Sequence, residues 1–378
     1  MRFFDNSDIN RTYVQSGFAT LAASMGEVFV FAYLLKAGFG VAIVFCAMAA
    51  WSMTRLVLRQ IVLPAVLKFG LRNCLIFGTL VDAVAFLIVS QITQPGYLLI
   101  GYIACSALGN SFYWACLHTL IAMIGDAEKR GAQVSLKESI SAVVGIIGPL
   151  IGAFLLVRFG PLAAFVFAAL LLVASIIPLI GIRNLRIAPQ AAIDPATKKQ
   201  VWTIYFADGL RAAANYYVWS IALFEVLGEN FSSFGAVLAL AGGVGAVMSL
   251  GIGKLIDLGH LARARQMAFA AMALTVALKA FGYSTPWIAI VASAASAVAL
   301  PLYASVMMSR VYNLSQKSAC PLRFQIIGEG AWDMGVAIGC VLAAAMAWLG
   351  IGFFWPIILG LAACALGYGA LADKQVEA

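Results

Sequence analysis

The chain has 378 residues, of which 63% are hydrophobic and only 11% charged, with a formal net charge of +8. A soluble domain carries about 25% charged residues because its surface must face water, so this composition excludes a water-soluble globule and places most of the chain in lipid. Nor does the positive balance signal nucleic acid, because the basic residues cluster in short polar connectors on alternate sides of apolar runs.

A helix that spans a bilayer needs about 20 mainly apolar residues. The opening MRFFDNSDIN is polar, so no cleaved secretion peptide is expected. Spanning runs then occupy 13–35, 39–61, 73–92, 97–124, 132–157 and 161–182. In the second of them the apolar pattern continues past Arg55 and Arg59 to Lys68. The connector IRNLRIAPQAAIDPATKKQ follows, with two prolines and four basic residues, and reads as an extended, solvated linker. Six more runs follow at 201–227, 233–256, 266–284, 286–310, 324–349 and 351–372. The prediction is an all-α integral membrane protein of twelve transmembrane helices. They form two pseudo-symmetric six-helix bundles, 1–182 and 201–378, joined by a linker at 183–200.

Outside the spans, Lys and Arg fall almost wholly on the side of that linker, with Lys36 and Arg158 on the other and Lys279 near its edge. Such an asymmetry puts the linker and both termini in the cytoplasm. Compact form, short loops and the absence of processing signals point to a bacterial inner membrane. The seven cysteines form no C-x-x-C pair, so neither a disulfide framework nor a zinc site is indicated, and no metal or cofactor is expected.

The halves look related. Tyr13-x-x-x-Gly17 recurs as Tyr205-x-x-x-Gly209, Gly70 as Gly259, and Tyr113 as Tyr303. Glu138 precedes Gly148 by ten residues, as Glu329 precedes Gly339. One offset of roughly 190 residues serves all four, as internal duplication requires.

Twelve spans in two halves with a basic linker resemble the major facilitator superfamily of secondary transporters. The segment LGIGKLIDLGHLARARQ is similar to that family's loop signature at Gly253, Asp257, Gly259, Arg263 and Arg265. Its counterpart, LPAVLKFGLRN, keeps Lys68, Gly70 and Arg72 but lacks the acidic residue. The stretch from Gly145 through Gly148-Pro149 to Gly152 is similar to the fifth-helix motif of the family's antiporters. The resemblance implies alternating access, a cavity lined by spans 1, 4, 7 and 10, and contact of spans 2 with 11 and 5 with 8.

Charges in hydrocarbon are expensive, so each one inside a span is a candidate for function. Asp208 and Arg211 share a face of span 7: either they form a buried ion pair that makes insertion tolerable, or Arg211 holds an anionic substrate group. Asn215, Tyr216 and Trp219 continue along that helix and suit an amphiphilic or aromatic solute. Glu27, midway along span 1, can exchange a proton if isolated, or it pairs with a residue such as Arg55, or it stays protonated and structurally inert. Asp82 shares this ambiguity, and the resemblance implies that its helix, span 3, lies at the outer side of the bundle. Span 4 offers Asn110, Tyr113 and His118, and span 10 offers Tyr303. Glu138 and Glu329 occupy equivalent depths. With Arg55, Arg59, Lys254, Asp257 and Asp333 they form a candidate set of interdomain latch residues, the alternative being permanent braces within each bundle.

The expectation is therefore a transporter of a small organic solute, proton-coupled with sodium left open, acting as a monomer and tilted toward export by the fifth-helix motif. A flippase for a lipid-like amphiphile is the second transport reading. A membrane-embedded enzyme is disfavoured, because the sequence has no H-E-x-x-H and no G-x-S-x-G.

Overall fold

The computed structural model describes residues 5–125, 130–187, 193–256 and 261–371. Along them run α1 (Ser7–Lys36), α2 (Val41–Phe69), α3 (Leu71–Val89) and α4 (Tyr97–Ile124). Arg130–Ile180 is one helical run broken at Gly160, whose φ of 83° leaves the helical region. Glycine tolerates that conformation, and Pro161 behind it restarts a helix because its missing N–H would be unpaired in a first turn. The break separates α5 (130–159) from α6 (161–180). Then come α7 (195–226), α8 (Phe231–Ile256), α9 (Leu261–Gly282), α10 (Pro286–Lys317), α11 (Pro321–Trp348) and α12 (Phe354–Leu371). These are twelve helical segments among the described residues. Eight stretches are long and apolar enough to cross a membrane, and the 38-residue one, Val143–Ile180, contains the Gly160 break.

Starts of odd-numbered helices and ends of even-numbered ones gather on one face, called here the linker face. Arg11 bonds the Gly181 carbonyl, and the Leu71 amide bonds Leu185 at 2.9 Å. Arg265 reaches the Leu371 carbonyl at 3.1 Å. The opposite, far face carries exposed Tyr97, Trp287, Trp348 and Trp355 at helix ends. Aromatic residues at that level form the belt expected at a lipid–water boundary. Between the faces, exposed Phe77, Leu80, Val84, Phe154 and Leu170 present an apolar exterior that only lipid can cover.

Helices 2 and 11 pack along one seam, and helices 5 and 8 along another. Small residues make the second seam: a Cβ at Gly242 would lie 2.7 Å from the Gly145 carbonyl, and one at Gly235 an equal 2.7 Å from the Pro149 carbonyl. The fifth-helix motif also packs on α1, where a Cβ at Gly152 would strike the Met25 carbonyl. Backbones this close are the usual result of glycine at helix contacts in lipid.

Helices α1 and α7 each contain a π-helical turn, at Ala23–Glu27 and Ala213–Val218. The two turns begin 190 residues apart, the offset already read from the repeats. Such turns recur at functional sites because they rotate the following side chains out of α-helical register.

A polar cavity between the helices

The two seams flank a central cavity of about 390 Å³. Its charged lining is Glu27 from α1, Arg55 from α2, Asp208 and Arg211 from α7, and Glu329 from α11. Aromatic surface comes from Trp51, Trp114, Tyr205, Tyr216, Tyr217, Tyr303 and Trp332. Methionines Met307 and Met308 add soft apolar surface that adapts to irregular shapes.

Asp208 and Arg211 pair at 2.8 Å through both Nε and a terminal guanidinium nitrogen, all on one carboxylate oxygen. Tyr303 donates to the same oxygen at 2.9 Å, and the Trp332 indole donates to the other at 3.0 Å. Asp208 is thereby fully engaged. Arg211 stands over the Tyr303 ring at 4.8 Å, and its remaining N–H groups engage no carboxylate among the described residues. The aspartate and its donors hold the guanidinium in place at the cavity wall.

On the linker side of the cavity, α2 and α11 exchange charges. Arg59 binds Asp333 at 2.6 Å and 3.1 Å, and Arg55 reaches Asp333 at 3.2 Å and Glu329 at 3.4 Å. The spacing is what joins them: residues four apart on each of two antiparallel helices face each other in pairs. Arg55 is also held between rings from both halves, 4.5 Å from Trp51 and 5.2 Å from Trp332. Both arginines and Asp333 are at most 2% exposed, so the two arginines and two carboxylates neutralise one another where little water reaches them. Nearer the linker face, His118 Nδ1 meets the Tyr312 hydroxyl at 3.1 Å, joining α4 to α10.

On the far side the contact between halves is aromatic. Phe31 meets Tyr217 edge-on at 5.5 Å, and Phe29 meets Phe234 at 5.6 Å.

The structure sorts the candidates of the sequence. Glu27, Asn110, His118, Asp208, Arg211, Tyr216 and Tyr303 line the central cavity. Tyr113 lines a smaller chamber beside it. Asn215 and Trp219 are turned away from it. Trp219 is buried and donates to Ser293 at 3.1 Å, the Asn215 side-chain amide lies against Gly360 of α12, and the Asn215 main-chain carbonyl accepts from buried Lys279 at 2.9 Å. The π turn is the reason: an α-helix would carry the Arg211 face on to Asn215 and Trp219, whereas the wider turn brings Tyr216 round instead. Of the interdomain set, Arg55, Arg59, Glu329 and Asp333 come together, whereas the side chains of Glu138 and Lys254, and Asp257 entirely, lie outside the described residues.

Asp82 points inward from its helix. It enters an inner chamber between α1, α3 and α4, where Asn110 donates to both its oxygens at 2.9 Å. The signal in the sequence is Gly109, where a Cβ would lie 2.7 Å from the Asp82 carboxylate. Trp332 and Tyr205 were also missed, since an aromatic residue in an apolar helix carries no mark of the face it takes.

Helices long enough to cross a membrane, arranged about a charged cavity with contacts between the halves on either side, define a membrane transporter. The family's sequence model confirms the class and narrows it: it matches residues 16–319, and the chain belongs to the Major Facilitator Superfamily. In structure the chain is similar to the human organic anion transporter MFSD10 (TETRAN), with a TM-score of 0.69 over 97% of this chain and 99% of that one. Identity is 13%, so the likeness is one of fold. No curated protein sequence matches the chain. It is an integral membrane protein and a secondary transporter of small solutes.

Proposed function

We propose that the protein carries a small organic solute with an anionic group by alternating access between a bundle at 1–182 and one at 201–378, linked by 183–200. The observation that carries this reading is Arg211, fixed by Asp208 yet open to the central cavity on one edge. A planar guanidinium suits a carboxylate or phosphate through paired N–H donors. Tyr216, Trp114 and Tyr303 offer flat surface to the solute's apolar part. The fold neighbour that transports organic anions agrees with this chemistry.

The α2–α11 ion network acts as the latch of the linker side, and the Phe29, Phe31 and Tyr217 contacts seal the far side. Glu27 is the coupling carboxylate, because it makes no hydrogen bond or ion pair among the described residues and faces the cavity. It takes a proton when the cavity opens to one side and releases it to the other. The asymmetry of basic residues supports a cytoplasmic linker and termini in a bacterial inner membrane, and the fifth-helix motif supports export.

Binding of an aromatic carboxylate, indole-3-acetate, to the purified protein in lipid nanodiscs tests the site. Wild type should bind it saturably and Arg211→Gln should lose the affinity. Equal affinity in the two would overturn the role given to Arg211.

A further inference from the structure

Beside the central cavity lies a second chamber of about 140 Å³. That is the space of roughly four or five waters at about 30 Å³ each, large enough for a small ammonium group. Its walls include Glu27, Asp82, Phe86, Tyr102, Tyr113 and Trp114, and no Lys, Arg or His is among its lining residues. Two carboxylates from different helices, α1 and α3, thus face one space whose own walls carry no basic side chain, the charge of Arg55 acting on them from outside those walls.

The polar groups around Asp82 fix how it is presented. The Trp114 indole N–H is only a donor, and it donates to the Asn110 side-chain oxygen at 3.1 Å. The Asn110 amide nitrogen must then point the other way, where it donates to both oxygens of Asp82. Asp82 is held as an acceptor by a chain that ends in a wall shared with the central cavity, because Trp114 lines both spaces. Glu27 also lines both and has no hydrogen bond or ion pair of its own among the described residues. A carboxylate placed there only to brace helices would have a partner.

We infer that this chamber is a subsite for the cationic group of the solute, a tertiary or quaternary ammonium held between Glu27 and Asp82 against the faces of Phe86, Tyr102 and Trp114. Aromatic rings attract such cations through their negative faces, and the attraction grows where water is excluded. With Arg211 across the central cavity, the site takes a zwitterion: its anionic group lies at α7 in the C-terminal half and its cationic group between α1 and α3 in the N-terminal half. A solute with both groups bridges the halves, whereas one with a single charge engages one half. The inference rests on the central cavity being the solute site, and it adds the second charge.

Two probes separate the two claims. Phenyltrimethylammonium supplies the cation alone, and indole-3-acetate the anion alone. Glu27→Gln and Asp82→Asn should each weaken phenyltrimethylammonium binding to nanodisc-embedded protein by roughly tenfold or more, as loss of one charge-assisted contact implies. Asp82→Asn should leave indole-3-acetate affinity unchanged, since Asp82 lines the chamber and not the central cavity, and that retained affinity also shows that the variant is folded. Arg211→Gln should do the reverse. Asp82→Asn is the sharper variant, since it keeps the side chain's shape and an oxygen that can still accept from Asn110. Failure of wild type to bind phenyltrimethylammonium saturably, or an affinity unchanged by Asp82→Asn, would overturn the chamber's role and leave the Arg211 reading intact. An indole-3-acetate affinity indifferent to Arg211→Gln would instead remove the reading on which the inference rests.

Discussion

Asp333→Asn should drive the protein toward a state open on the linker face. Asp333 is fully buried and accepts from Arg59 at 2.6 Å and 3.1 Å while facing Arg55 at 3.2 Å. Removing one partner of a buried ion pair costs about 3–5 kcal/mol, because the other charge is left without compensation. That cost falls on the state in which α2 and α11 touch. When the seam opens the arginines meet water, so the equilibrium should move by roughly two to three and a half decades at 1.4 kcal/mol per decade. Glu329 lies at 3.4 Å and 3.7 Å from its arginines and is 10% exposed. Glu329→Gln should therefore cost less, about 1–2 kcal/mol, or roughly five- to thirtyfold. Spin labels on Met123 and Asn313, at the linker-face ends of α4 and α10, report the separation by pulsed electron resonance in a background without native cysteines. The distance should lengthen strongly in Asp333→Asn and partly in Glu329→Gln. Labels at Lys36 and Glu225 on the far face should draw together. Combining Asp333→Asn with Arg59→Gln should return the distances toward wild type, since no buried charge is then stranded. Unchanged distances in Asp333→Asn would make the network a permanent brace and refute the latch.

Other outcomes follow from close contacts. Gly335→Ala should lower thermal stability by about 1–3 kcal/mol, because its Cβ would strike the Phe206 carbonyl in the α7–α11 packing. Gly101→Ala, where nothing lies within 4 Å, should leave the melting temperature unchanged or slightly raised. Lys279→Ala should lower stability by about 2–5 kcal/mol, because it leaves a void around Trp219 and orphans the Asn215 carbonyl that the ammonium caps at 2.9 Å. Chemical unfolding of the purified variants measures all three. Cysteine at exposed Ala196, just inside α7, should be labelled only by reagents that reach the cytoplasm. Labelling from outside intact cells would reverse the topology.

Much of the fold was legible because lipid imposes one rule on every span: enough apolar residues to cross, with breaks between them. The twelve runs read from the sequence each overlap a helical segment of the structure, and Gly160-Pro161 falls where the fifth and sixth were parted. The cavity was harder to read. Asp208 and Arg211 stand three apart on one helix, so their pairing could be seen in the sequence. What engages Asp208 besides Arg211 comes from α10 and α11, and no local pattern brings Tyr303 and Trp332 to it. The π turn defeated the extrapolation to Asn215 and Trp219, since periodicity assumes 3.6 residues per turn throughout. The resemblance places the helix of Asp82 at the outer side of its bundle, and only Gly109 on the neighbouring helix marks the gap through which the side chain turns inward.

The central claim is that solute crosses through the cavity between the two halves as the seams open in turn. Leu56 and Gly330 face each other across the α2–α11 seam, where a Cβ at Gly330 would lie 3.3 Å from a Leu56 methyl. Leu56→Cys with Gly330→Cys, in a background without native cysteines, provides a lock that oxidation closes and a reductant opens. Flux of labelled indole-3-acetate through proteoliposomes under an opposed proton gradient should stop on oxidation and recover on reduction. Flux that continues at the same rate through the fully crosslinked protein would contradict the account.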